Sequence, residues 1–299
     1  MSEVIAVDVG GTSIKSGVVD RAGRLSREHR AETPPTGADG AAVLDAVVGV
    51  VEKLRGPHPP AAVGVVVPGV VDENAGVAVM SENLAWHDVP VGAVLAERLG
   101  CPVAVGHDVR AGGLAEQRVG ACRGVANAAF VPVGTGIAAA LVVDGVLCRG
   151  DGYAGEVGHI DVGHDLPCAC GGQGCLEAIA SAAAVTRRYA QRTGAGVSGS
   201  RDVADRVRLG DAVAVEVWDE ALDALARGLA SLVGLVAPEV IAIGGGLGES
   251  GELVIEPLER RLRSRLTFHR VPRLVPAQLG DGAGCVGAGL LARDLAGER

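Results

Sequence analysis

Three thiols fall within eight residues of this sequence, in Cys168-Ala169-Cys170-Gly171-Gly172-Gln173-Gly174-Cys175, and His159 and His164 stand just upstream. A structural zinc ion takes four Cys or His ligands in a tetrahedron, and three cysteines with one histidine are a standard set. Gly171 and Gly172 permit the tight loop that folds three sulfurs onto one ion. The pattern points to a closed structural zinc site rather than a redox-active or merely buried cluster. Spacing leaves both histidines open as the fourth ligand. A second set of residues suggests phosphate chemistry. Gly10-Gly11-Thr12, Gly134-Thr135-Gly136 and Gly244-Gly245-Gly246 each follow a short apolar run that reads as a strand. At the carboxyl ends of strands in an open α/β sheet, glycine lets backbone N–H groups approach phosphate oxygens with no Cβ in the way. One such loop serves any tight turn, but three, two of them with a threonine, favour a nucleotide. Asp8 stands just before the first loop, where a carboxylate beside phosphate-binding amides fits a shared Mg²⁺ ion. An aspartate in a β-turn is the plain alternative.

Two better-known nucleotide patterns do not apply. No G-x-x-x-x-G-K-[ST] occurs. Gly134-Thr135-Gly136-Ile137-Ala138-Ala139 fits G-x-G-x-x-A, but that loop should open a helix with an acidic residue about 20 positions on. Here the chain returns as a strand to Asp144, which argues against a dehydrogenase.

The elements that must position these residues alternate in type. Strands are expected over 4–9 and 16–19, with a turn at 20–23 that marks a hairpin. A Pro- and Gly-rich loop over 33–40 leads to a helix over 41–54, whose Val43, Val47, Val50, Val51 and Leu54 share one face. A strand over 61–67 ends at Pro68-Gly69. A helix over 91–99, a strand over 103–105 and a helix over 109–117 behind Asp108 complete an α/β domain. A partial echo follows. Val9-Gly10-Gly11-Thr12 and Val133-Gly134-Thr135-Gly136 both end an apolar strand, and the strands that follow close on Val18-Val19-Asp20 and Val142-Val143-Asp144, at one constant offset of 124 residues. Such self-similarity predicts two lobes of one design. The second lobe should hold a long helix over 211–236, with Trp218, Leu222, Leu225, Leu229 and Leu232 on one face and Pro238 stopping it. A strand over 240–243 runs into the third glycine loop.

Composition narrows the class. A chain of 299 residues with 48% hydrophobic residues can bury two domains or one large one, and its net charge of −9 argues against a nucleic-acid partner. Seven cysteines, an odd number, do not make a disulfide scaffold. The uncharged run 124–143 carries Asn127, Pro132 and Gly134-Thr135-Gly136, so it reads as two buried strands around a turn rather than a membrane span. The chain runs from Met1 straight into its first strand with no basic region or cleavage site, and a cytoplasmic protein is expected.

Taken together, the motifs resemble the ROK sugar kinases and regulators, a branch of the actin/hexokinase-like ATPases, over nearly the whole chain. The matching parts are Asp8-Val9-Gly10-Gly11-Thr12-Ser13-Ile14-Lys15, Pro68-Gly69-Val70-Val71, Glu82-Asn83-Leu84-Ala85-Trp86, Asp108 ahead of a helix, Gly134-Thr135-Gly136-Ile137, Glu156-Val157-Gly158-His159, Cys168 to Glu177, and Gly244-Gly245-Gly246. The Glu-x-Gly-His segment followed by Cys-x-Cys-Gly-x-x-Gly-Cys-x-Glu is the most specific of them.

The resemblance implies a bilobal actin-like (ribonuclease H-like) ATPase fold with two related α/β domains and a cleft between them. The N-terminal lobe would span 1–118, joined by a C-terminal helix over about 286–299, and the C-terminal lobe 119–285, with the zinc loop at 159–175. It implies an ATP:sugar 6-phosphotransferase, with Asp108 as the general base at the 6-hydroxyl of glucose or N-acetylglucosamine. Gly69, Asn83, His107, Glu156, His159 and Glu177 would line the sugar. Asp8, Gly10, Gly11, Thr12, Lys15, Gly134, Thr135, Gly136, Gly244, Gly245 and Gly246 would hold ATP and Mg²⁺. Zinc would sit on His159, Cys168, Cys170 and Cys175, with the second ring nitrogen of His159 facing the sugar and His164 a surface loop residue. His107 departs from the family's usual Asn, which bears on the sugar's identity. Arg110, two residues past Asp108, reads as a solvated helix residue, with an electrostatic neighbour of Asp108 as the alternative. Mannose or N-acetylmannosamine are alternative substrates, polyphosphate an alternative donor, and a non-catalytic sugar-binding regulator a remote one. The repressors of the family carry an added DNA-binding domain, for which the opening of this chain leaves no expectation. A homodimer that binds neither nucleic acid nor membrane is expected.

Overall fold

The computed structural model describes residues 3–298 and divides the chain into two compact units. The first comprises residues up to Val119, Arg149–Ala154 and the segment from Asp281 onward; the second comprises Gly120–Cys148 and Gly155–Gly280. The first unit opens with strands β1 (Val4–Val9), β2 (Ser13–Val19) and β3 (Leu25–Glu32), then helix α1 (Ala41–Leu54). Next come β4 (Ala62–Val67), the short strands β5 (Val70–Asp72), β6 (Val77–Ser81) and β7 (Trp86–Val89), helix α2 (Val91–Leu99), β8 (Val103–His107) and α3 (Asp108–Val119). The second unit holds β9 (Ala128–Pro132), β10 (Ala140–Val143), β11 (Val146–Leu147), and helices α4 (Leu176–Ala180), α5 (Ala182–Thr193), α6 (Ser200–Arg208) and α7 (Ala212–Val236). It ends with β12 (Val240–Gly244), α8 (Gly245–Gly248), α9 (Ile255–Arg263) and β13 (Arg273–Pro276), after which α10 (Ala283–Leu295) returns to the first unit.

The main sheet of the first unit has the order β3-β2-β1-β4-β8, and that of the second β11-β10-β9-β12-β13. In both, the first three strands are antiparallel neighbours and the last two extend the sheet in parallel. The two sheets are therefore one design used twice, as the offset echo predicts.

β1 shows why the parallel strands are continuously apolar. Ile5, Val7 and Val9 pack into a core with α1 and α2, while Val4 and Ala6 pack on the opposite face with Ala288 and Ala292 of α10. A strand covered on both faces needs apolar residues at every position. On the α10 side the packing depends on missing side chains. A Cβ on Gly64 would fall 1.8 Å from the Ala288 carbonyl oxygen, and one on Gly287 2.0 Å from that of Ala111. In the second unit, α7 is capped by Asp211, whose carboxylate accepts the N–H groups of Val213 and Ala214 at 3.0 Å each. Its apolar face, with Trp218, Leu222, Leu225, Leu229 and Leu232, forms the centre of the core beneath β9 and β12. Among the described residues no helix is long and apolar enough to cross a membrane.

Several elements depart from the sequence reading. β2 begins three residues before the expected start, at Ser13, and pairs with an unexpected edge strand, β3. The small sheet β5-β6-β7 was also not anticipated. The strip Arg149–Ala154 and the segment 281–285, read as part of the C-terminal lobe, pack with the first unit.

Candidate active site

In the first unit the candidate residues gather where the parallel strands β1, β4 and β8 end. Asp8 is the penultimate residue of β1, Gly69 follows β4, and His107 and Asp108 join β8 to α3. Asp8 is largely enclosed, with 13% of its side chain exposed, and the start of α10 closes over it: a Cβ on Gly284 would lie 2.7 Å from Asp8 Oδ2. Burial first, and the nearby Asp108 charge second, push the Asp8 carboxyl up to about 7 despite Lys15. Lys15 Nζ is 3.9 Å from Asp8 Oδ2 but donates instead to Asp281, to its carboxylate and to its carbonyl oxygen at 3.0 Å. Asp108 is pushed up to about 6, again by burial, against the opposing effects of the Val109 N–H, Arg110 and Lys15. Val109 donates its N–H to Asp108 Oδ1 at 2.7 Å.

The loop after β1 is held by its own backbone. Gly10 N–H donates to the Ser13 carbonyl at 2.9 Å, and the Thr33 hydroxyl donates to the Gly10 carbonyl at 2.6 Å. Gly11 approaches Asn83 closely enough that a Cβ would be 3.4 Å from the Asn83 Cβ, so loop and asparagine are neighbours. Gly69 adopts φ +101°, and a side chain there would run into the Met80 carbonyl at 2.2 Å. Thr12 and Asn83 are exposed.

Arg110 differs from the sequence reading, and His107 packs beside it. His107 is buried, and its Nδ1 accepts the Arg110 N–H at 3.3 Å while Nε2 lies 3.3 Å from Asp108 Oδ1. Arg110 is not solvated. Its guanidinium donates to Glu73 Oε1 at 2.7 Å, the Gly152 carbonyl at 3.1 Å and the Val71 carbonyl at 3.4 Å. A helix residue of period-matched polar type reads as surface; only the pairing with Glu73, which also accepts from Arg149, makes it a core residue.

In the second unit, two glycine loops meet. Val133 donates its N–H to the Gly244 carbonyl at 2.9 Å, and Leu247 donates back to the Val133 carbonyl at 3.0 Å. Gly245, at φ +72°, lies against this backbone, with a Cβ position 2.6 Å from the Val133 carbonyl carbon. The Ala182 N–H at the start of α5 donates to Gly134 at 2.9 Å, so Gly134, Thr135, Gly136, Gly244, Gly245 and Gly246 form one patch of backbone at the ends of β9 and β12.

Beside this patch lie the sugar and metal candidates. Glu177, on the first turn of α4, accepts the Ile137 N–H through Oε2 at 2.8 Å. The turn holding Glu156 and His159 packs on the same loop: a Cβ on Gly158 would be 2.1 Å from the Ile137 carbonyl oxygen, and Leu176 N–H donates to Ile160 at 2.9 Å. His159 Nε2 is 4.0 Å from Glu156 Oε2. His159, Cys168, Cys170 and Cys175 place one ligand atom each within 4.8 Å of one another. Cys170 Sγ and Cys175 Sγ are 3.6 Å apart, and Cys168 Sγ is 3.8 Å from His159 Nδ1. A tetrahedron with Zn–S bonds of about 2.3 Å has edges of about 3.8 Å, so the four groups fit zinc with little movement. That fit uses His159 Nδ1 and leaves Nε2 on the Glu156 side. His164 is engaged otherwise: Nδ1 accepts the Leu166 N–H at 3.1 Å and Nε2 lies 3.1 Å from the Cys175 carbonyl.

Sequence reasoning missed Asp281, which competes with Asp8 for Lys15, and Glu73, which pairs Arg110. The run Gly280-Asp281-Gly282-Ala283-Gly284 was an available signal, because small residues open the last helix just where it meets Asp8.

Residues 4–295 match the ROK family. A glucokinase of Streptomyces coelicolor is 34% identical over 98% of this chain and 98% of its own. An N-acetylgalactosamine kinase of Shewanella sp. ANA-3 is 32% identical over 97% of this chain and 96% of its own. Among solved structures, a ROK glucokinase of Streptomyces griseus, in complex with glucose and AMPPNP, superposes with a TM-score of 0.86 at 34% identity, covering 98% of this chain and 99% of that one.

Proposed function

This chain belongs to the ROK family, with the actin-like ATPase fold of its kinases, and on that premise we propose that it is an ATP-dependent hexose kinase acting on the 6-hydroxyl of glucose. The observation that carries the reading is Asp108: a partly exposed carboxylate where the parallel strand β8 ends, its Oδ1 held by the Val109 N–H at 2.7 Å and its pKa raised to about 6. A base poised there is ionised at neutral pH yet basic enough to take a proton in the transition state. As the sugar oxygen attacks the γ-phosphorus and ADP leaves, the hydroxyl proton passes to Asp108. Phosphoryl transfer otherwise needs positioning and charge neutralisation.

Gly69, Asn83, Glu156, His159 and Glu177 are the sugar contacts we propose. Each carboxylate suits a pair of hydroxyl donors. Gly10, Gly11, Thr12 and Lys15, with the backbone patch of Gly134-Thr135-Gly136 and Gly244-Gly245-Gly246, hold the nucleotide. Asp8 would hold Mg²⁺, which supplies neutralisation of the phosphate charge when bound. A buried carboxylate this reluctant to ionise, whose neighbouring lysine is turned to Asp281, suits a divalent cation. Zinc on His159, Cys168, Cys170 and Cys175 would be structural and would fix the ring that turns Nε2 toward the sugar. A homodimer is proposed on the family resemblance alone, and a cytoplasmic setting fits an ATP-using enzyme whose seven cysteines form no disulfide.

A 2-acetamido hexose is the second reading. It is favoured by His107, where the family usually has Asn, and by the likeness to an N-acetylgalactosamine kinase. A coupled ADP-release assay over glucose, N-acetylglucosamine, N-acetylgalactosamine, mannose and N-acetylmannosamine tests both, with polyphosphate as a second donor. Turnover on an acetamido sugar but not on glucose overturns the glucose assignment, and no turnover on any of them with Mg-ATP overturns the kinase reading.

A further inference from the structure

We propose that His107 is a positioning residue for Asp108, its Nδ1 capping helix α3 and its Nε2 holding Asp108 Oδ1. The inference rests on the reading of Asp108 as the base. It also revises the place of His107 as a sugar contact.

His107 is the last residue of β8 and is 7% exposed. The Arg110 N–H, one of the first amides of α3, points at Nδ1 from 3.3 Å. A backbone N–H can only donate, so Nδ1 must present a lone pair, and a neutral ring then carries its hydrogen on Nε2. The histidine stands where a helix takes an N-cap, three residues ahead of the amide it accepts. Its remaining nitrogen, Nε2, is 3.3 Å from Asp108 Oδ1, which also accepts the Val109 N–H at 2.7 Å. Both contacts fall on Oδ1. The carboxylate is therefore pinned at one oxygen and takes the substrate proton on the other, Oδ2. One ring thus joins the start of the helix to the orientation of the base.

An amide cannot do both. Asn places its polar atoms near the position of Nδ1 and can cap the helix, but does not extend to where Nε2 stands. Gln reaches the Nε2 position but loses the cap. The charged groups that bear on Asp108 are Arg110 on α3, Lys15 on β2 and Asp8 on β1, and they are the same in both variants.

The experiment uses whichever sugar the enzyme turns over fastest. In His107→Asn, kcat should fall about tenfold, the effect of one lost hydrogen bond to a charged group, while the sugar KM stays within about twofold. The acid limb of kcat/KM should move up by about one pH unit, because a donor to the ionised carboxylate has gone. His107→Gln should keep the wild-type limb and melt earlier. A His107→Asn limb that coincides with wild type, or a raised sugar KM with kcat unchanged, overturns the proposal. The ¹⁵N shifts of His107 in the wild-type protein supply a readout free of any folding defect: a protonated Nδ1 at pH 7 would also overturn it. Asp108→Asn separates the two layers. Near wild-type turnover in that variant removes the base reading itself, whereas its loss with an unmoved His107→Asn limb removes only the role of His107.

Discussion

Arg110 donates through Nε to Glu73 Oε1 at 2.7 Å, with 1% of the arginine side chain exposed, and Glu73 Oε2 accepts Arg149 Nε at 2.6 Å. The pair lies between helix α3, the end of β5 and the strip Arg149–Ala154, which leaves the second unit's part of the chain to pack with the first. Burial alone would raise the Glu73 carboxyl, but hydrogen bonds from Arg110 and Arg149 outweigh it and hold the value below its ordinary 4.5. Glu73→Ala should therefore cost about 3 kcal/mol at pH 7, because it leaves the Arg110 charge buried without its partner. The folded-state value is lowered, so this stabilisation is fully present above the unfolded value and is lost as pH falls through the folded one. Denaturant titrations at pH 7 and pH 3 should show the gap between wild type and variant closing on the acid side. An equal gap at both pH values would remove the ion pair as its cause.

Asp108→Asn should lower kcat by about 10²–10⁴-fold, the usual contribution of a positioned base, and leave sugar binding measurable by calorimetry. In the wild-type enzyme kcat/KM should rise with pH through about 6, as the Asp108 carboxyl loses its proton. A variant retaining a tenth of wild-type kcat would take the base role from Asp108.

Asp8 makes the opposite trade. Its folded-state value of about 7 lies above the ordinary 3.8, so the folded protein without metal binds this proton more tightly than the unfolded chain does. Stability from that source is present below the unfolded value and is lost as pH rises through about 7. Asp8→Asn should stabilise the metal-free protein at pH 8 by about 1–3 kcal/mol, given 1.36 kcal/mol per unit and a discount for coupling. The same variant should need far more Mg²⁺ for half-maximal turnover. Thermal melts with and without Mg²⁺ and a Mg²⁺ titration of activity check the two halves, and a destabilised Asp8→Asn protein at pH 8 would contradict the first.

The parts of this arrangement that were legible in the sequence are those fixed by local chemistry. β1, β4 and β12 are apolar runs stopped by glycine, and the loops after β1 and β12 appear as glycine clusters whose purpose a strand end explains. Cys168, Cys170 and Cys175 are close in sequence and so must be close in space. β3 was hidden because an edge strand reads Leu-Ser-Arg-Glu-His-Arg-Ala-Glu, charged on its open side, and β5, β6 and β7 are too short for a period to emerge. Arg110 was misread for another reason. Its partner, Glu73, depends on tertiary approach, and the contacts of His107 with an N-terminal amide and the Asp108 carboxylate depend on a rotamer; spacing encodes neither.

Gly136 links the glycine loop after β9 to Glu177 and gives a substitution with a narrow expected effect. A Cβ there would land 2.5 Å from Glu177 Oε2 and 3.3 Å from its Cδ, while the Ile137 N–H donates to that same oxygen at 2.8 Å. The obstructing atom is the far end of a flexible side chain, so Gly136→Ala should fold, with Glu177 rotated off Ile137 at a cost of about 1 kcal/mol for one hydrogen bond. If Glu177 pairs with sugar hydroxyls, the sugar KM should rise about tenfold or more, as two hydrogen bonds to a charged acceptor are lost. The ATP KM should change little, since Gly134, Thr135 and Gly245 keep their backbone positions. Steady-state kinetics with each substrate varied separately distinguish the outcomes. A raised ATP KM with an unchanged sugar KM would assign Glu177 to the nucleotide loop alone and remove it from the sugar contacts.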